Sequence, residues 1–152
     1  MGRANFRERS ATNIFAALGD AASKYQADRY NTSKLLEIMI VRELAQAITN
    51  SGKPHVIVNA VNPGCCVSES QRHATPVMYF LIKLGGLILA RTTEAGSRTL
   101  FAGAAAGEES HGMYMSDCKV KEPSAFVRGE DGLDTQKKVY EQLLRFLEGG
   151  DH

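Results

Sequence analysis

The feature that most constrains this chain is a long helix-forming block that leads, through a proline stop, into a short β-branched run. Between Asp28 and Ile48 the residues Leu35, Leu36, Ile38, Met39, Val41, Leu44, Ala45 and Ile48 leave little of the circumference polar. That distribution predicts a heavily buried helix. Ser51-Gly52-Lys53-Pro54 stops it. From His55 to Val61 the chain then carries Val56, Ile57, Val58, Ala60 and Val61, the near-continuous apolar pattern of a parallel strand covered on both faces. Asn62-Pro63-Gly64 ends the run, because proline has no N–H for a ladder and glycine accepts the turn.

The flanking segments extend the same alternation. Ala11 to Leu18 reads as a short helix ended by Gly19-Asp20, and Val77 to Ala90 as an apolar helix with Gly85-Gly86 as a potential break. Thr92 or Thr93 suits the cap of a further helix through Leu100, Phe101 and Ala104 to Gly107, with Glu94 in its first turn. Gly112 to Ser116 reads as a short strand. Asp134 to Glu148 has Val139, Leu143, Phe146 and Leu147 at helical spacing, with Gly149 placed to terminate it. Helix, strand, helix, helix, strand, helix is the order of the trailing part of a doubly wound parallel α/β sheet. No repeat, linker or low-complexity tract divides residues 1–152, which are read as a single, partial domain.

Charge and composition exclude several classes. With 18 basic and 17 acidic residues the net charge is +1, which gives no electrostatic basis for nucleic acid or an anionic membrane as partner. The longest apolar stretch, Pro76 to Ala90, is interrupted by Lys83 and falls short of the roughly 20 residues that span a bilayer. No transmembrane segment is expected. The first nine residues lack the apolar run of a secretory signal. The three cysteines, Cys65, Cys66 and Cys118, have neither an even disulfide framework nor zinc spacing and read as small, reduced, buried thiols. A cytoplasmic protein is expected. His55, His73, His111 and His152 show no paired ligand spacing, so no metal is expected.

One pair of residues carries chemistry. Tyr30-Asn31-Thr32-Ser33-Lys34 puts Tyr30 and Lys34 four residues apart, on one face of the long helix. An ammonium beside a phenol favours the phenolate, and a tuned phenol is a suitable general acid/base toward an alcohol oxygen. Tyr79 and Lys83 have the same spacing, but bulky Ile82 precedes the lysine and no strand with a Pro-Gly end follows. That second pair reads as packing.

Arg29-Tyr30-Asn31-Thr32-Ser33-Lys34-Leu35-Leu36, Val41-Arg42-Glu43-Leu44-Ala45 and Val61-Asn62-Pro63-Gly64, taken in this order, resemble the short-chain dehydrogenase/reductase superfamily. The flavour is that of retinol-dehydrogenase-like members common in fungi. Thr93 to Leu100 and Gly112 to Asp117 resemble the family's tail. The resemblance implies the C-terminal portion of a Rossmann-like fold and NAD(P)-dependent hydride transfer between an alcohol and a ketone. It implies Tyr30 as general acid/base, Lys34 as the residue that tunes it and holds the nicotinamide ribose, and Pro63, Gly64 and Ser68 at the nicotinamide. Ser68 stands where the family usually has threonine, and keeps the hydroxyl. NADP is slightly favoured over NAD by the resemblance alone. Glu69 to Ala90 falls in the family's variable substrate-covering region, and its apolar content suits a small, apolar alcohol or carbonyl substrate and equally a core or dimer helix.

The family's glycine-rich fingerprint, in which amides at a helix N-terminus hold the pyrophosphate, has no counterpart in residues 1–152. Nor does its catalytic serine, since Ser10 and Ser23 follow no strand-like run. The resemblance therefore implies that the nucleotide-binding strands are missing and that this chain alone is inactive. It leaves open the missing N-terminal half or a second copy as partner. The alternative reading is a non-catalytic truncated fragment or an interaction module built on an unpaired sheet edge.

Overall fold

The computed structural model describes residues 6–20, 28–64 and 92–149. In chain order it contains α1 (Ile14–Gly19), α2 (Arg29–Asn50), β1 (Ala60–Asn62), α3 (Thr93–Ala105), β2 (Tyr114–Ser116), β3 (Lys119–Lys121), α4 (Ala125–Arg128) and α5 (Glu130–Leu147). The three strands lie in the order β1-β2-β3. β1 and β2 are parallel, with Val61 opposite Met115, and β2 and β3 are antiparallel. This mixed sheet flanked by helices is consistent with a portion of a Rossmann-like α/β fold. The helix expected at Val77 to Ala90 lies outside the described residues.

The core forms where α2, α5 and the N-terminal strap meet. Leu35, Leu36, Ile38 and Met39 of α2 pack with Phe6, Ile14, Val127 and Val139. Ile14, Met39, Val127 and Val139 are fully enclosed, and each such side chain contributes about 1.5–3 kcal/mol of transfer free energy. α2 is less buried than its apolar residues suggest, because Leu44 is exposed and Val41 and Ile48 are only half-buried. Among the described residues, α5 and the sheet cover only part of its circumference. Side chains on α5 hold the strap by its backbone. The Gln142 amide donates to Thr12 O at 2.8 Å and accepts from the Ile14 N–H at 2.8 Å, and Lys138 Nζ donates to Ala11 O at 2.7 Å. The Arg29 guanidinium donates to the Leu18 and Asp20 carbonyls, tying the end of α1 to the start of α2.

Local signals account for the helix ends. Thr92 caps α3, its Oγ1 accepting from the Ala95 N–H at 3.1 Å, and Gly149 follows α5 at φ 79°. One further element, β3, has a weak sequence cue. β3 follows β2 through a two-residue turn at Asp117 and Cys118, with φ of 56° and 58°. Both central residues of such a type I′ hairpin are left-handed, a geometry that Asn-Gly would have announced and Asp-Cys does not. Cys118 is consequently exposed at a hairpin tip, not buried as its composition class suggested. Cys65 and Cys66 lie outside the described residues.

β1 is shorter and barer than the apolar run predicts. Pairing starts with Gly112 N–H to Val58 O at 2.8 Å and continues through Ala60 N–H to Met113 O at 3.0 Å. Val56 and Ile57 are 58% and 37% exposed. A parallel strand is enclosed by neighbours on both edges and layers on both faces. Among the described residues β2 is the single strand neighbour of β1, so its other edge has no strand beside it, while α2 and α3 contact the strand itself. The free edge and its exposed apolar residues form a surface prone to self-pairing. Sedimentation of the isolated chain is expected to show concentration-dependent association, and Val56→Lys with Ile57→Lys to shift it toward monomer.

Close backbone approach fixes the α4–α5 corner. A Cβ on Gly132 would stand 1.9 Å from the Phe126 carbonyl oxygen, an atom that moves only with the backbone. Gly132→Ala is expected to lower the unfolding free energy by about 1–3 kcal/mol in urea titration. Gly19→Ala, with nothing within 4 Å, is expected to leave it unchanged or raise it.

Candidate active site

The buried positions of α2 near its start are Thr32, Leu35, Leu36 and Met39, so the solvent side carries Tyr30, Lys34 and Glu37, at successive steps of four and three residues. Tyr30 is 71% exposed. Lys34 Nζ lies 5.9 Å from the centroid of its ring, within cation–π range. The ammonium also donates to both Glu37 oxygens, at 2.8 and 3.1 Å. That hydrogen bonding raises Lys34 above its ordinary 10.5, against a smaller lowering by desolvation, with the Glu37 charge and then Tyr30 adding to the rise.

The second half of the site lies past β1. Gly64 adopts φ 83°, where a side chain would be strained, and its N–H donates to Asn62 Oδ1 at 2.9 Å. The other end of the same side chain donates from Nδ2 to the Tyr114 hydroxyl at 2.8 Å. Asn62 thus closes the Pro63-Gly64 turn on one side and anchors it to β2 on the other. Ser68, the remaining residue expected here, lies outside the described residues.

His111 ties α2 to the β1 segment. Its Nδ1 accepts from the Val58 N–H at 3.3 Å, which leaves Nε2 as the protonated nitrogen, 3.0 Å from Ala45 O and 3.2 Å from Thr49 Oγ1. The late turns of α2 are thereby held beside the start of the β1 segment. Tyr30 lies fifteen residues, about 22 Å of helix, back from Ala45. Gly64 lies six residues, about 20 Å of strand, on from Val58. Both elements run away from this bracket, Tyr30 lying at the N-terminal end of α2 and the Pro-Gly turn past the carboxyl end of β1. In open α/β sheets that end is where ligands bind.

The described site therefore offers an exposed phenol, an ammonium one turn away and a glycine turn that permits close approach to the backbone. Among the described residues no group of histidine, cysteine and acidic side chains is placed to hold a metal ion. Sequence reasoning singled out Tyr30, Lys34, Pro63 and Gly64 but passed over Glu37, Asn62 and Tyr114. The i, i+3 spacing of Lys34 and Glu37 signals the ion pair, and an Asn before Pro-Gly signals the side-chain turn. Nothing local to Tyr114 signals its bond. Asn62→Ala is expected to cost about 1–2 kcal/mol, and Tyr114→Phe less, with faster hydrogen exchange at the Gly64 amide in both.

Comparison with known proteins gives a consistent set of relatives. The chain is 42% identical over 151 residues to the short chain dehydrogenase/reductase dmxR8 of Cryptosporiopsis sp. (strain 8999), covering 97% of this chain and 45% of that protein. It is 35% identical over 144 residues to the short chain dehydrogenase FGM9 of Gibberella zeae, covering 95% of this chain and 42% of the relative. The short-chain dehydrogenase anuD of Penicillium roqueforti is 37% identical over 141 residues, 90% of this chain and 37% of that protein. The chain spans less than half the length of each of these curated relatives. No family model and no solved structure matches it.

Proposed function

We infer the activity from a premise the relatives supply: this chain belongs to the short-chain dehydrogenase/reductase superfamily and corresponds to its C-terminal portion. Family members are NAD(P)-dependent oxidoreductases. The reading for this chain is hydride transfer between the cofactor and a small, apolar alcohol or ketone. Tyr30 gives a proton to, or takes one from, the substrate oxygen, and Lys34 and the Pro63-Gly64 turn hold the nicotinamide end, together with Ser68. The observation that carries this reading is the exposed Tyr30 phenol with the Lys34 ammonium 5.9 Å from its ring on one face of α2.

The residues present suit one end of a dinucleotide. The cofactor supplies or accepts the hydride when bound. Tyr30 is open to solvent for contact with a substrate, and Lys34 keeps a donor position beyond the two given to Glu37. Among the described residues no glycine-rich turn at a helix N-terminus serves the pyrophosphate end. Residues 1–152 are accordingly one partial domain that works with a nucleotide-binding half, or with a second copy of this chain, along the open edge of β1. Among the described residues no helix is long and apolar enough to cross a membrane, which fits a cytoplasmic enzyme. NADP remains slightly favoured over NAD on family resemblance alone. The exposure of Val56 and Ile57 supports one other reading, a non-catalytic fragment acting as an interaction module through that edge.

Fluorescence titration of the folded chain with NADH and with NADPH tests the proposal. Saturable binding is expected once the β1 edge is occupied, and Tyr30→Phe is then expected to cut turnover about 10²–10⁴-fold with little change in binding. Folded, edge-paired protein that binds neither nucleotide would leave the interaction module as the reading that stands.

A further inference from the structure

Lysine has three donor positions and no acceptor. In this structure two of the Lys34 positions go to the Glu37 oxygens, at 2.8 and 3.1 Å. One donor position is left, and the Tyr30 ring centroid lies 5.9 Å from the ammonium. A ribose presents two vicinal hydroxyls, and an ammonium that holds both needs two donors. The Glu37 contacts and a two-point hold on a ribose therefore compete for the same ammonium.

We propose that Glu37 is a positioning residue of this site, which tethers the Lys34 ammonium and surrenders at least one hydrogen bond when a ribose diol is held. This rests on the reading of Lys34 as a nicotinamide-ribose ligand. Two effects of Glu37 oppose each other. Its carboxylate favours the charged lysine, and it occupies donors that the diol requires. At neutral pH the first effect is of no consequence, because Lys34 sits above its ordinary 10.5 and an unperturbed lysine is already fully charged there. The competition for donors decides the sign. Glu37 weakens dinucleotide binding while keeping the ammonium in a single place beside Tyr30.

The pair is exposed at the helix surface, so removing it leaves the core untouched. The test is NMR titration of the lysine side chains in the unmodified chain, in Glu37→Gln and in Glu37→Asp, with Lys34 identified by the loss of its signal in Lys34→Arg. Glu37→Gln is expected to lower the Lys34 midpoint alone among the lysines and to shift the Tyr30 ring signals. Glu37→Asp is expected to restore part of that change. An unchanged Lys34 midpoint in Glu37→Gln would overturn the tether. Titration of the edge-paired proteins with NADPH at pH 7 is the second arm, with several-fold tighter binding expected for Glu37→Gln and equal or weaker binding overturning the competition. A lowered midpoint with no nucleotide binding by either edge-paired protein would overturn the ribose reading of Lys34 and leave the tether standing.

Discussion

The register between α2 and β1 depends on the His111 imidazole, which accepts from the strand backbone on one nitrogen and donates to the helix on the other. Because the ring is planar and rigid, the two partners are held at a fixed separation as well as in register. Tyr30 stands about four turns of helix and Lys34 about three turns away from that bracket, and the Pro-Gly turn stands at the far end of the strand segment. The ring is supported in turn by His55, whose centroid lies 4.5 Å away and whose Nε2 meets Glu108 at 3.0 Å.

Elements governed by local chemistry were legible in the sequence. α2 was readable from its apolar density, α3 from Thr92 and Glu94, and the close of α5 from Gly149. The Tyr30–Lys34 pair was legible because four-residue spacing in a helix is a geometric statement, and the Pro-Gly turn because proline and glycine restrict the backbone in known ways. The β2–β3 hairpin was hidden because its left-handed residues are Asp117 and Cys118, neither of which demands that conformation. His111 was hidden because its partners are backbone atoms 53 and 66 residues away, and no residue type marks a carbonyl as an acceptor. Periodicity misjudged the β1 segment for a related reason: apolar content reports what a strand is suited to bury, whereas burial depends on which neighbours are present.

The partly covered strand and the short match to the relatives concern the same region. A chain that spans less than half of each curated relative carries its β1 with one strand neighbour among the described residues. The candidate chemistry is distributed accordingly. In the proposed reading, proton handling falls to α2 and the nicotinamide end to the turn past β1, and a pyrophosphate grip would come from outside them.

The strap ahead of α2 shows how such a chain tolerates change. Gln142 and Lys138 grip carbonyls and an amide of residues 11–14, groups that every substitution other than proline at Ile14 leaves in place. Ala11 and Thr12 are thus free to drift in identity without loosening the hold. Gln142 is not, since its single amide must both donate and accept. Between two segments in contact, the burden of sequence memory falls almost entirely on one.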